Sequence, residues 1–120
     1  MEKIVKIGDK TFQMKSSAYT QLAYRNETNR SFLNDIKKLV KLGDLNLNDL
    51  KADEQLDLLD DLQELILPIS YVMVKEADKT QAQNYEEFLK SLDNLYEDFE
   101  WVNEVILLAC SPISRQLQNS

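Results

Sequence analysis

Carboxylates at helical spacing are the most prominent chemical groups in this sequence. Four of them recur at the three- and four-residue intervals of one helix face, namely Asp57, Asp60, Asp61 and Glu64. Such a set could bind Mg²⁺ or Ca²⁺, but an EF-hand loop needs a glycine at its sixth position, and residues 44–61 contain none. A carboxylate-rich helix face is more often a solvated surface, so we expect no metal site.

The remaining reactive groups are few. The chain has no histidine and one cysteine, Cys110, which excludes a Ser-His-Asp triad, a histidine-bearing metal site and an internal disulfide. Because Cys110 follows the apolar residues 107–109 without a basic neighbour, we interpret it as an inert, half-buried thiol rather than a nucleophile. The only glycines, Gly8 and Gly43, are isolated, so no phosphate-binding loop can be formed. The sequence predicts a protein that is not an enzyme and uses no cofactor.

Charge is distributed unevenly along the chain. Residues 1–43 carry nine basic and four acidic side chains (+5), residues 44–104 carry four and seventeen (−13), and residues 105–120 add one arginine (+1), giving −7. An acidic body repels phosphate backbones, so nucleic-acid binding is not expected. The acidic stretch is either a solvated surface or a patch that steers a basic partner. No signal peptide or membrane-spanning stretch is recognisable, so we expect a cytosolic protein that does not contact membranes.

The elements that must position these groups follow from length and periodicity. A chain of 120 residues has the length of one domain, and only two Gly and two Pro leave few of the tight turns that a β-sandwich needs. The sequence therefore predicts a single mainly α domain of the α+β class. We expect a β-hairpin at 1–15, a bundle of five or six helices at 16–110 and a frayed tail at 111–120.

The predicted hairpin rests on alternation. Residues 3–7 and 11–15 alternate between polar and apolar side chains, and Gly8-Asp9 between them supplies turn chemistry. An isolated hairpin is marginal in water, so its apolar underside should pack on helices. The side chains expected on that underside are Ile4, Phe12 and Met14.

Two helices are predicted next. Ser16-Ser17 offers an N-cap hydroxyl for a helix that runs to about Glu27 and is ended by Thr28-Asn29. A second helix should run from about Ser31 to Leu42, with Gly43 as its C-terminal cap. The expected buried stripes are Tyr19, Leu22 and Ala23 on the first helix, and Phe32, Ile36, Leu39 and Val40 on the second.

The middle of the chain carries the strongest apolar pattern. After a polar connection at 44–52, Asp53 should cap a helix that Pro68 interrupts. Helix then resumes near Ile69 and ends near Ala77, which gives either two helices or one kinked helix. Residues 78–83 are expected to form a loop before a short helix at 85–92. The predicted stripe of the central helix comprises Leu58, Leu59, Leu62, Leu65 and Ile66, and the short helix should open with a capping box made by Asn84 and Glu87.

The last helix has more apolar positions than one packing seam requires. A first stripe comprises Leu95, Phe99, Val102, Ile106 and Ala109, and a second comprises Trp101, Val105 and Leu108. Two interpretations follow: both stripes are internal, or the second is an exposed patch that contacts another subunit or a partner helix. The candidate protein-interaction residues are accordingly Trp101, Val105 and Leu108.

Several short motifs resemble those of a known family. The hairpin segment K-I-G-D-K-T-F-Q-M-K (6–15) and the segment Y-R-N-E-T-N-R-S-F-L-N-D-I (24–36) resemble the tail assembly chaperones of long-tailed, siphovirus-type phages and prophages of Gram-positive bacteria. Tyr71-Val72-Met73 and the acidic segment Y-E-E-F-L (85–89) are similar to later parts of that family. These motifs are spread over residues 6–89, about two-thirds of the chain.

The resemblance implies a role in virion morphogenesis. Chaperones of this family coat the helical tape measure protein, help to recruit tail tube subunits, and are absent from the finished virion. Many are also made in a longer, frameshifted form. The resemblance therefore implies action in the host bacterial cytoplasm, and the opposite charges of residues 1–43 and 44–104 would permit head-to-tail self-association. The alternative is an acidic inhibitor or nucleic-acid mimic that binds a basic host protein.

Overall fold

A two-stranded hairpin followed by helices makes up the chain. The structure is a computed structural model that describes residues 1–43 and 49–118. Over those residues it contains β1 (Glu2–Ile7), β2 (Lys10–Lys15), α1 (Tyr19–Thr28), α2 (Phe32–Gly43), α3 (Ala52–Ala77), a 3₁₀ turn (Lys79–Gln81), α4 (Tyr85–Lys90) and α5 (Glu100–Gln118). The predicted mainly α fold with an amino-terminal hairpin is confirmed. Most of the predicted polar connection at 44–52 lies outside the described residues.

The register of the hairpin decides which side chains are buried. The turn pairs Ile7 with Lys10, which places Val5 opposite Phe12 and Ile4 opposite Gln13. Directly opposed residues share a face of the hairpin, so Ile4 lies on the outer face and is 62% exposed. The prediction that Ile4 belongs to the apolar underside was therefore wrong, whereas those for the two β2 residues are confirmed. The buried side chains are Val5, Ile7, Phe12 and Met14.

Gly8 is required by the hairpin turn. Its φ of +60° lies in the left-handed region, and a Cβ atom placed there would lie 1.8 Å from the carbonyl oxygen of Asp93. The neighbouring side chain of Asp9 accepts a hydrogen bond of 3.1 Å from Asn94 Nδ2. The turn therefore packs tightly against the chain that leads into α5.

Helix α1 uses a different face from the predicted one. Tyr24 and Thr20 are buried, while Tyr19 and Leu22 are 57% and 53% exposed. Buried polar contacts fix this orientation, because Thr20 Oγ1 donates a hydrogen bond of 2.9 Å to Glu76 of α3. The end of the helix is as predicted: α1 stops at Thr28, and Asn29 follows in the left-handed conformation.

Helix α2 buries three of its four predicted apolar positions. Phe32, Ile36 and Leu39 are buried, but Val40 is 46% exposed, because Asp35 extends the buried face on one side and Val40 falls beyond its opposite edge. Gly43 is the last residue of the helix and does not form the predicted left-handed cap. The buried face of α2 is therefore partly polar.

Helix α3 crosses the whole molecule as one helix with Pro68 inside it. Of the two alternatives in the sequence, continuation through the proline is the one observed. The helix ends at Ala77 as predicted, but its N-cap is Lys51, so Asp53 lies in the first turn and does not cap. Every residue from 65 to 74 is buried, whereas none from 52 to 64 is fully buried.

Side chains satisfy the carbonyl groups that the prolines leave unbonded. Proline has no N–H, so Pro68 cannot donate to the carbonyl of Glu64, four residues earlier. Arg30 Nη2 donates to that oxygen instead, at 3.0 Å. In α5 the carbonyl of Leu108, four residues before Pro112, accepts a hydrogen bond of 2.7 Å from Ser111 Oγ. Both helices therefore continue through a proline without a buried orphan carbonyl at these positions.

The segment between α3 and α5 ties the hairpin to the helices. Residues 79–81 form a 3₁₀ turn within the predicted loop, and the amide of Gln81 exchanges two 2.8 Å hydrogen bonds with the main chain of Gln13. Asn84 caps α4 as predicted by accepting from the N–H of Glu87. Phe88 of α4 contacts Phe12 edge to face, with ring centroids 5.3 Å apart. This cluster seals the hairpin underside.

Helix α5 is longer than the sequence predicted. It begins at Glu100 and continues to Gln118, so the prediction of a frayed tail from residue 111 was wrong up to that point. Ser111 Oγ bonds to the preceding helix turn at Leu108, which allows α5 to pass Pro112. Residues 119–120 lie outside the described chain.

Candidate functional site

The three predicted interaction residues belong to the core. Trp101, Val105 and Leu108 are each no more than 3% exposed. The indole Nε1 of Trp101 donates a hydrogen bond of 2.8 Å to the carbonyl of Leu95, so its polar atom is satisfied internally. The interpretation of these side chains as an exposed patch was wrong. The alternative, that both stripes are internal, holds for this stripe but not for Phe99 of the first, which is exposed.

An apolar groove opens on the other side of α5. It lies between α2, the first half of α3 and the start of α5, and encloses a cavity of about 190 Å³. We call it the helix groove and define it by its lining residues, Leu39, Leu42, Gly43, Leu58, Leu59, Leu62, Phe99, Val102, Asn103 and Ile106.

The first predicted stripe is divided. Val102 and Ala109 are buried like the second stripe, whereas Leu95 and Phe99 precede α5, which begins at Glu100, so their prediction as helix residues was wrong. Phe99 and Ile106 of the first stripe line the helix groove, and Phe99 is 36% exposed. Asn103 lies four residues after Phe99 and three before Ile106, so a polar side chain interrupts this stripe. That asparagine is the one sequence feature that marks the stripe as partly open to solvent.

Within the described residues, α3 is only partly covered in the groove. Leu58, Leu59 and Leu62 are half-buried, since the described residues that they meet, in α2 and α5, lie on one side only. At Gly43 an added Cβ atom would have no described atom within 4 Å. In this part of the chain the apolar lining is thus partly exposed.

One exposed carboxylate lies near the aromatic wall of the groove. Asp60 follows the half-buried Leu59 on α3. Tyr96, which stacks on Phe99 at a centroid distance of 5.7 Å, has its pKa raised to about 12 by burial and by the charge of Asp60. Asp60 therefore lies close enough to act electrostatically on the groove's aromatic wall.

A polar network lies beside the groove between α1, α2 and α3. The hydroxyl of Tyr24 donates a hydrogen bond to the buried carboxylate of Asp35, and Arg30 Nε lies 3.1 Å from the same carboxylate. Arg30 Nη2 also donates to Tyr24 Oη at 3.1 Å. Burial and the bond to Asp35 raise the pKa of Tyr24 to about 12. All three groups are used in mutual contacts, so we interpret the network as a structural tie.

The charge segregation of the sequence does not persist in space. Lys38 and Lys41 of α2 line the same cavity of about 390 Å³ as Asp61 of α3. Lys3 of β1 forms an ion pair of 3.6 Å with Glu104 of α5. Basic and acidic side chains therefore neutralise one another within the fold, which weakens the argument for head-to-tail stacking. Self-association by that route stays a prediction.

Other groups singled out in the sequence are accounted for by burial. Cys110 is half-buried, and burial raises the pKa of its thiol, as expected for an inert cysteine. Over residues 1–43 and 49–118, no three His, Cys, Asp or Glu side chains converge as metal ligands. None of the helices in that part of the chain is long and apolar enough to span a membrane.

Comparisons of the chain with protein-family models, with curated proteins and with solved structures find no match. The resemblance to tail assembly chaperones therefore rests on the short motifs at 6–15, 24–36, 71–73 and 85–89. Any functional inference must come from those motifs and from the helix groove.

Proposed function

We propose that this protein is a non-enzymatic phage tail assembly chaperone whose helix groove binds an amphipathic helix of the tape measure protein. The proposal rests on the groove itself, which is lined by eight apolar side chains. They come from α2, from α3, and from α5 with the residue before it. A tape measure protein exposes long apolar stripes before it is packaged. Covering such a stripe by helix-in-groove packing would keep it from aggregating.

The shape of the groove favours a helix over a small molecule. Its volume of about 190 Å³ is smaller than the roughly 300–1,000 Å³ typical of drug-sized ligand sites. Its walls are ridges with helical spacing, made on α3 by Leu58 and Leu62 and on α5 by Val102 and Ile106. Such ridges accept side chains that recur at three- and four-residue intervals on a partner helix.

Asp60 predicts the charge of the bound helix. Its exposed carboxylate lies near Tyr96, which stacks on Phe99 of the groove. A client helix whose apolar stripe is flanked by Lys or Arg would place positive charge opposite this carboxylate. Recruitment of tail tube subunits through a longer, frameshifted form, action in the host cytoplasm and absence from the virion belong to the same proposal, on the strength of the resemblance.

A second candidate function is favoured by the exposed carboxylates of α3. The first half of the helix carries six, Asp53, Glu54, Asp57, Asp60, Asp61 and Glu64, and all are exposed. An acidic inhibitor or nucleic-acid mimic would use this face to occupy a basic cleft of a host protein. Such binding would depend on the carboxylates and not on the apolar lining.

Adjacent residues of α5 provide a matched test. Ile106 lines the helix groove, whereas Leu107 is 70% exposed and lies outside it. Overlapping peptides of the tape measure protein from the same phage genome would be titrated calorimetrically against the wild type, Ile106→Gln and Leu107→Gln. We expect Ile106→Gln to weaken binding of an amphipathic peptide by about tenfold or more, as for a hot-spot residue, and Leu107→Gln to change it little.

Three outcomes are informative. If both substitutions weakened peptide binding equally, the groove would not be the binding site. Absence of binding to any tape measure peptide would contradict the chaperone function. Asp57→Asn and Asp60→Asn neutralise part of the acidic face of α3 and test the second candidate. If they abolish binding to a basic host protein and Ile106→Gln does not, the result would support the inhibitor.

A further inference from the structure

The outer edge of β1 has no main-chain hydrogen-bond partner among the described residues. A two-residue turn makes Ile7 and Lys10 exchange main-chain hydrogen bonds, and this pattern recurs at every second residue. Consequently Glu2, Ile4 and Lys6 direct their N–H and C=O groups away from β2. Within the described chain no other main-chain group bonds to these three residues. All three are exposed.

The opposite edge of the hairpin shows the same alternation of inward- and outward-pointing main-chain groups. Unlike the β1 edge, it is bonded to another part of the chain. Gln13, which pairs with Ile4, also points its main-chain groups outward, and the amide of Gln81 bonds to both. At the end of the hairpin, Met1 and Ser16 exchange two main-chain bonds of 2.8 Å, as the same alternation requires. The β2 edge is thus blocked at its centre, and the β1 edge is not.

We propose that β1 pairs antiparallel with β1 of a second copy of this chain, about a twofold axis at Ile4, to form a four-stranded sheet. This register places Glu2 opposite Lys6 of the second copy, and Lys6 opposite Glu2, so that two ion pairs form across the interface. It also places the two Ile4 side chains opposite each other. Ile4 is 62% exposed in the single chain and has no cover there.

The directions of the main-chain N–H and C=O groups fit the same register. Antiparallel strands exchange main-chain bonds only between residues whose N–H and C=O groups point toward the partner strand. Pairing about Ile4 matches Ile4 with Ile4 and Glu2 with Lys6, all of which point outward. A register shifted by one residue would lose these bonds, because it would pair outward-pointing residues of one copy with Lys3 or Val5 of the other. The N–H and C=O groups of Lys3 and Val5 point toward β2. Charge and main-chain geometry therefore select one arrangement.

The surroundings of the edge are also complementary to β1. Beside Ile4 and Lys6 lies an open cleft of about 530 Å³, which Glu97, Asp98 and Glu100 also line. β1 itself carries two lysines and one glutamate, so a second β1 brings net positive charge to this acidic wall. Since only six residues of each copy pair, the interface is below standard size, and we expect micromolar or weaker affinity.

This surface is distinct from the helix groove. Glu104 of α5 faces the hairpin through its ion pair with Lys3, whereas Val102 and Ile106 line the groove on the opposite side of that helix. A dimer formed through β1 would leave both grooves free. Two grooves joined in one particle would bind successive apolar segments of a long client more tightly than either alone.

The test is a charge exchange on the purified full chain. Sedimentation velocity from about 10 µM to about 1 mM covers the range expected for such an interface. Glu2→Lys and Lys6→Glu each place like charges opposite each other, and we expect either to raise the dimer dissociation constant about tenfold. The double substitution restores opposite charges and should return the constant to near the wild-type value. Lys10→Glu, an equal charge change on β2, is the control and should have no such effect.

Ile4→Pro tests the main-chain component. It removes an outward N–H that the hairpin itself does not use, so the fold should persist, as circular dichroism would verify, while the dimer is lost. A wild-type chain that stays monomeric throughout the range would overturn the proposal. So would single charge variants that dimerise normally, or a double variant that is not rescued. Association that survives Ile4→Pro would assign the contact to another surface and overturn it equally.

Discussion

The two halves of α3 serve different purposes although they form one helix. From residue 65 to 74 every side chain is buried, because the hairpin, α1, α4 and α5 surround this part of the helix. From 52 to 64 no side chain is fully buried, and the helix has neighbours on one side only. The buried half organises the fold, and the open half provides the wall of the helix groove.

The sequence of each half explains the difference. Residues 65–74 contain no charged side chain, and a helix that is apolar all round must be enclosed. Residues 52–64 carry six carboxylates opposite a leucine stripe, which suits a helix packed on one face. Continuous apolar sequence therefore locates the core, while amphipathic sequence leaves room for a partner.

The largest predicted effect compares one side chain from each half. Tyr71 is 1% exposed and contacts the rings of Tyr85 and Phe88, so Tyr71→Ala should lower the free energy of unfolding by about 3–5 kcal/mol. Leu59 is half-buried in the groove wall, and Leu59→Ala should cost only about 1–2 kcal/mol. Urea denaturation of both variants gives the two values. Similar losses in both would mean that the two halves contribute equally to the core.

Much of the fold could be predicted from the sequence, because it depends on local patterns. Alternation located the hairpin, and helical spacing located the helices. The end of α1 at Thr28 and the cap at Asn84 followed from turn and capping chemistry. Local sequence does not decide whether α3 continues through Pro68, because continuation depends on a distant residue, Arg30, which bonds to the freed carbonyl.

The candidate site was harder to predict than the fold. On α5, periodicity identified two apolar stripes but could not tell which one the hairpin would cover. Trp101 is buried and Phe99 is exposed in the groove, and this difference depends on tertiary packing that the spacing of apolar residues does not encode. The same holds for Ile4, whose face is set by the pairing of Val5 with Phe12.

An intermediate effect is predicted where the two halves of α3 join. Arg30→Met removes the bonds of the guanidinium to Glu64 O, Tyr24 and Asp35, and should cost about 2 kcal/mol. Pro68→Ala restores an N–H that can donate to Glu64 O within the helix. In that background the loss of Arg30 should be less severe by about 1 kcal/mol, because the carbonyl keeps a donor.

A double-mutant cycle measured by urea denaturation isolates the coupling energy between Arg30 and Pro68. The contacts of Arg30 with Tyr24 and Asp35 are lost in both backgrounds, so they cancel from the coupling energy. Ser70→Ala provides a control, since Ser70 Oγ donates to a different α3 carbonyl, that of Ile66, and should not couple to Arg30. A coupling energy of zero between Arg30 and Pro68 would show that the arginine does not compensate the proline.

The smallest effect is expected at alkaline pH and compares a tyrosine of the buried network with one beside the groove. The pKa of Tyr24 and that of Tyr96 are both raised from 10.0 to about 12, chiefly by burial. For Tyr24, ionisation would also set a phenolate against the carboxylate of Asp35. The folded state therefore keeps both protons through the window from pH 10 to about 12.

In that window the unfolded chain loses these protons and the folded chain does not, so the free energy of unfolding must fall as pH rises. Each tyrosine should contribute on the order of 1 kcal/mol of this fall near pH 11. Tyr24→Phe and Tyr96→Phe should each make the decline shallower, whereas Tyr19→Phe, which removes an exposed hydroxyl, is the control. The slopes would be obtained from urea denaturation at several pH values, with other titrating groups common to all variants. If Tyr96→Phe alone left the slope unchanged, the hydroxyl beside the groove would have to be open to solvent, and the groove wall would be looser than the network that ties α1, α2 and α3 together.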